Sequence, residues 1–214
     1  MLAKITKWFY LIAVIAVMGI SFLALPAFAE GQGGASKEGI KVHGHWKIEV
    51  FNPDGTRAGT TEFENSLDSS LGGDYLVRLL SGLAVYGNWG IELDASTGTK
   101  PCDDAGNPVS CKIGESGGYY LTMTLDSLNL SVVGNVGSTP RQIVLSGSVT
   151  AANASTIDTV KTLSSYCADT NVSISTCRST NSSVWQNFTA ATLGTPPSVV
   201  TGQLIQVTVT ISFS

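Results

Sequence analysis

Hydrophobic and polar residues alternate from the first part of the chain that could pair in a sheet. Val42, Gly44, Trp46, Ile48 and Val50 fall on one face, and Lys41, His43, His45, Lys47 and Glu49 on the other. A period of two is the signature of a half-buried antiparallel strand. Asn52-Pro53-Asp54-Gly55 breaks it with turn chemistry, and Thr56 to Glu64 completes a hairpin. The period then changes. Leu67, Leu71, Tyr75, Leu79 and Leu83 recur every fourth residue, with Leu76 and Leu80 beside them. That spacing predicts a helix over 67–82, with Asp68 or Ser69 as N-cap and Gly82 as stop. Gly72 and Gly73 weaken its first turn by about 1 kcal/mol each.

Beyond the helix the pattern returns to strands. Trp89, Ile91 and Leu93 alternate, as do Leu121, Met123 and Leu125, followed by Leu128 and Leu130. Leu145, Gly147, Val149 and Ala151 oppose Val144, Ser146, Ser148 and Thr150. Ile157 to Leu163 and Phe188 to Leu193 add two candidates, and a Pro196-Pro197 corner follows. The clearest alternation is the last: Ile205, Val207, Val209, Ile211 and Phe213 against Gln206, Thr208, Thr210 and Ser212. The fold class that results is mainly β, an antiparallel β-sandwich of about seven to nine short strands with one packed α-helix. A signal-peptide helix precedes it. The alternative of an outer-membrane barrel fits less well, since aromatic residues do not group into two girdles and the strands are short for a crossing.

The N-terminus reads as an address. Met1 to Tyr10 carries Lys4 and Lys7 and no acid, Leu11 to Leu25 is apolar, and Ala27-Phe28-Ala29 offers small residues at a cleavage site. This predicts a signal peptide over 1–29, a flexible Gly/Ser-rich leader over 30–40 and a single β-sandwich domain over 41–214. An uncleaved membrane anchor is the alternative, and any membrane contact would run through this segment alone. The four cysteines form two close pairs, Cys102/Cys111 and Cys167/Cys177. Neither has the spacing of a zinc or redox motif. Four cysteines allow three connectivities; proximity favours the two local ones. Each local bond closes a loop of about ten residues and contributes roughly 2–3 kcal/mol in the chain-entropy model. Such bonds belong to an oxidising compartment, so the expected location is secreted, extracellular or cell-surface.

Composition narrows the partners. Charged residues are 13% of the chain, about half the usual share, and the net charge is −4. No Lys/Arg cluster is present to neutralise phosphates, which argues against nucleic acid.

Three segments carry a family resemblance. Trp46 to Gly55 leads through Phe63-Glu64-Asn65 into the helix ending at Gly82. Thr139 to Thr150 is followed by Ala154 to Leu163. Phe188 to Leu193 precedes a proline corner and Val199 to Ser212. Taken in order, they resemble a domain class common in phage tail-fibre and tail-associated proteins. In that class a strand–turn–strand enters a helix, and a β-sandwich follows. The motifs are pattern and turn chemistry, with no catalytic signature. The chain departs from the class in its secretion signal and two cysteine loops. The resemblance therefore implies a fibre-like or surface-display architecture.

Candidate chemistry is sparse. His43 and His45 point the same way on a strand and could share a metal with Glu49 or a neighbouring carboxylate. The competing reading is a solvated row. Asp103, Asp104 and Asn107 place three oxygen-bearing side chains inside the first cysteine loop, a calcium arrangement or else an Asx-rich turn. Trp185 is the best candidate for an exposed sugar-stacking ring, while Trp46 and Trp89 alternate with core positions. Asn129, Asn153, Asn171, Asn181 and Asn187 each begin Asn-x-Ser/Thr, the acceptor pattern of N-glycosylation. No histidine base lies near the abundant C-terminal serines and threonines, and no nucleophile elbow, P-loop or dinucleotide fingerprint occurs.

The functional expectation is a secreted, non-catalytic structural or interaction module without a cofactor. It would associate with itself or with another surface protein, with fibres formed by β-strand pairing as one outcome. Ile205 to Phe213 is the expected assembly strand, because from Ala151 onward only Asp158, Lys161, Asp169 and Arg178 carry charge. An edge so poorly guarded is either buried centrally or used for pairing. A carbohydrate-binding adhesion module is the alternative, and a secreted metal-dependent hydrolase the second.

Overall fold

The computed structural model describes residues 40–104, 106–114, 129–133, 142–179 and 184–214. The expected signal peptide over 1–29, the expected leader up to residue 39 and the Leu121 to Leu128 alternation lie outside these residues. In chain order the elements are β1 (Val42–Phe51), β2 (Arg57–Ser66), α1 (Leu71–Leu80), β3 (Val85–Asp94), β4 (Cys102–Asp104), β5 (Asn107–Val109), β6 (Cys111–Gly114), β7 (Asn129–Val133) and β8 (Gln142–Thr150). They continue as β9 (Ser155–Thr156), β10 (Thr159–Cys167), α2 (Ile174–Ser179), β11 (Val184–Thr192), β12 (Ser198–Val199) and β13 (Leu204–Phe213). Ile40 to Ser214 forms one compact unit.

Two antiparallel sheets make the sandwich. One runs β2-β1-β13-β8-β7 and the other β11-β10-β3-β6. Alternation in β1 becomes burial: Val42, Trp46, Ile48 and Val50 face inward, and His43 and His45 face out. Its turn to β2 is held by the Asp54 carboxylate, which accepts from the Thr56 backbone N–H at 2.9 Å and its hydroxyl at 2.6 Å. Trp46 lies opposite Phe63 and stacks on it at 5.7 Å. The inner face of the second sheet supplies Ile91, Leu93, Ile113, Val160 and Phe188 to the same core.

The last strand is not an edge. β13 is paired along its length with β1 on one side and β8 on the other; Ile205, for example, lies opposite Val50 and Val149. Ile205, Val207, Val209 and Ile211 are buried, and Phe213 is partly buried. The expected assembly strand is therefore corrected to a central strand. It needs no charged guards because both rows of its backbone groups are already bonded.

Buried polar groups tie the layers. The Asn65 amide bridges β1 and β11, donating to the Gly44 carbonyl at 3.3 Å and accepting from Trp46 Nε1 and the Thr189 hydroxyl, each at 3.0 Å. Thr189 and Thr162 share a hydrogen bond of 2.7 Å inside the second sheet. At one side the sandwich is strapped shut: Leu67 bridges Thr189, and the Asp68 N–H donates to the Phe188 carbonyl at 2.9 Å.

That strap shortens the helix. α1 begins at Leu71, and Leu67 belongs to the bridge rather than to a helical stripe. The N-cap position is Ser70, not Asp68 or Ser69, and it makes no side-chain cap bond; Asp68, two residues earlier, instead accepts from the Leu71 N–H at 2.8 Å. Gly82, at φ 69°, ends the element as expected. Gly72 is explained by close approach, since a Cβ there would collide with the Phe188 carbonyl.

Both disulfides are local, Cys102–Cys111 and Cys167–Cys177. The first ties β4 to β6 around the β4–β5 hairpin, in which Asp104 lies opposite Asn107, where a polar loop was expected. The second closes on α2, a short helix that the residue pattern did not announce. Asn88 holds α2 in place: its amide donates to the Arg178 carbonyl at 2.8 Å and accepts from Arg178 Nε at 3.0 Å.

Candidate functional site

The sequence-derived candidates are not brought together. His43 and His45 stand on the outer face of β1. His45 Nδ1 lies 2.7 Å from Glu64 Oε1 across the hairpin, and His43 Nε2 meets the Ser214 hydroxyl at 3.5 Å. Glu49, the proposed third ligand, is instead paired with Lys47 at 3.1 Å and Arg57 at 3.4 Å. A hydrogen bond from Lys47 is the main cause that holds the Glu49 carboxyl below its ordinary pKa. Asp103 is exposed on β4, opposite Pro108. Among the described residues no group of three His, Cys, Asp or Glu side chains could hold a metal ion.

Trp185 is half-buried on β11, opposite Ser165, with Gly90 beneath its ring. The expected exposed stacking surface is corrected to a half-buried ring laid against the sheet beside Gly90. Of the glycosylation acceptors, Asn153 is engaged with the Lys100 and Cys102 carbonyls at 3.3 and 3.2 Å. Asn187 is half-buried, Asn171 is exposed, and Asn181 lies outside the described residues.

Two features that the residue pattern did not single out are better candidates. The first is the outer edge of β2, ten residues at the margin of the five-stranded sheet. Its first four residues are exposed, and Glu62 and Glu64 share the outer face with Lys47 and His45. Arg57 reaches Glu49 on that same face. The edge thus carries a cation near one end and two acids toward the other. Nothing in Arg57 to Glu64 marks it as an edge strand, because alternation reports faces and not margins.

The second is an apolar cavity of about 390 Å³ under α1, where the two sheets part. Leu76 and Leu79 of α1, Tyr86 and Trp89 of β3, Ile143 of β8 and Phe213 of β13 line it. Tyr75 and Phe188 form its floor, with rings 5.8 Å apart and nearly perpendicular. Trp89 meets Phe188 edge-on at 4.9 Å. Burial pushes the Tyr75 phenol up to about 12, so it stays a neutral packing group. α1 is apolar on more sides than it can bury: Val77 and Leu80 are 63% and 71% exposed, and Leu83 just beyond is exposed as well. The four-residue stripe predicted to face inward is thus only partly inward, with Tyr75 fully buried and Leu71 on the surface side. The cue was the run Leu76-Val77-Arg78-Leu79-Leu80, whose four apolar residues no single helix face can hide.

Comparison with protein-family models, with curated proteins and with solved structures finds no match.

Proposed function

We propose that this protein is an exported, non-catalytic β-sandwich module that works at the cell exterior by self-association along the edge of β2. The observation that carries the reading is that edge: ten residues of strand with one row of backbone groups facing away from the sheet. Two copies related by a two-fold axis would pair β2 with β2 antiparallel, each Arg57 facing Glu62 or Glu64 of the other. Both disulfides suit an oxidising exterior. Several polar side chains have structural work: Asp68 holds the entry to α1, Asp158 receives the Ser96 N–H at 2.7 Å and hydroxyl at 2.6 Å, and Asn88 holds α2. A two-fold contact closes a dimer, so fibres like those of the tail-fibre class it resembles need a second contact elsewhere.

Light scattering on the purified mature chain tests this. A concentration-dependent dimer is expected. Arg57→Glu should weaken it at least tenfold, and the full reversal Arg57→Glu/Glu62→Lys/Glu64→Lys should restore it. A chain that stays monomeric, or a dimer indifferent to Arg57→Glu, refutes the assignment. Negative-stain microscopy of the same sample separates a closed dimer from a filament.

A further inference from the structure

The cavity under α1 is independent of the β2 edge, and its chemistry selects a ligand. Its wall is almost wholly apolar, built from aliphatic side chains and ring faces. A sugar or other compact polar ligand would strand its hydroxyls there at a cost of several kcal/mol. Water gains little there for the same reason, since the wall offers it almost no hydrogen-bond partner, and apolar cavities take up hydrocarbon when offered. Its 390 Å³ falls within the range of small-molecule sites. At roughly 30 Å³ per water-sized group it holds on the order of a dozen heavy atoms.

The cavity is open to the surface on one side. Leu76 in its wall and Leu80 outside it are one helical turn apart and so share a face of α1. An apolar track therefore runs from the interior to solvent. A molecule with a hydrocarbon chain inside and a polar end outside matches that geometry; a molecule polar throughout does not. The floor is already rigid, because Tyr75, Phe188 and Trp89 lock one another edge to face. Binding would cost little reorganisation.

We infer that this cavity binds a single alkyl chain of about ten carbon atoms from an amphiphile whose polar end stays in solvent, beneath α1. The test uses the mature chain, 1-naphthylamine, small enough for the cavity, as fluorescent probe and 1-dodecanol as competitor. Saturable probe binding at one site, displaced by 1-dodecanol but not by glucose, is expected. Leu76→Phe and Ile143→Phe each fill the cavity and should weaken probe binding at least tenfold. Ile174→Gln removes an exposed apolar residue on α2 and should leave binding unchanged. Thermal melts run alongside: 1-dodecanol should raise the melting temperature of the wild-type chain, because a ligand that binds only the folded state stabilises it. Absence of saturable binding, affinity unaltered in both filled variants, an equal loss in Ile174→Gln, or no rise in melting temperature each overturns the inference.

Discussion

At the scale of single residues, neighbours decide what a side chain contributes. Gly72 and Gly73 sit side by side in α1, and propensity alone treats them alike. The structure separates them. A Cβ at Gly72 would strike the Phe188 carbonyl and Leu67, whereas nothing lies within 4 Å of one at Gly73. Gly72→Ala should therefore destabilise by about 1–3 kcal/mol through overpacking. Gly73→Ala should stabilise by up to about 1 kcal/mol. Urea denaturation of the two variants checks the pair, and equal effects would contradict the close approach. His45 makes the same point. Its place on the outer face was legible from alternation, but its partner Glu64 depended on the register between β1 and β2.

At the scale of elements, α1 shows how a local signal and a tertiary constraint share one helix. Asp68 was a candidate cap from composition, and it does accept the Leu71 N–H. That bond is the main cause holding its carboxyl below the ordinary 3.8. A depressed carboxylate stabilises the fold at pH values above its unfolded pKa. The contribution fades as pH falls through the lower, folded pKa. Asp68→Ala should cost about 1 kcal/mol near neutrality. The gap between variant and wild type in melting temperature should close as pH drops below 3.8. A gap undiminished under acid would mean that the side chain acts by something other than its charge. The start of α1 was less legible, because Leu67 keeps the four-residue spacing yet is claimed by Thr189 of β11.

At the scale of the whole molecule, the position of β13 governs what can be removed. With β1 on one side and β8 on the other, it joins the β2–β1 pair to the β8–β7 pair. Deleting Gln203 to Ser214 should unfold the domain, seen as loss of cooperative melting and of sheet signal in circular dichroism. A soluble, folded truncated protein would show that the sheet closes without it. The same placement moves the capacity for strand pairing from the C-terminal strand to β2, whose free edge is ten residues long.

The chain by itself determined the class: mainly β, one principal helix, hairpin β1–β2 and inward faces of β1, β8 and β13, with local disulfides favoured among three connectivities. These follow from period-two alternation, turn chemistry and short cysteine spacing, each of which acts between residues close in sequence. Only the tertiary structure decided which strand is central, that Trp185 lies down on Gly90, and that Leu76, Ile143 and Phe213 surround one cavity. Those outcomes depend on which sheet margins meet and how two layers stack. A strand's own alternation reports which face is buried; it carries no record of which neighbours occupy its two edges.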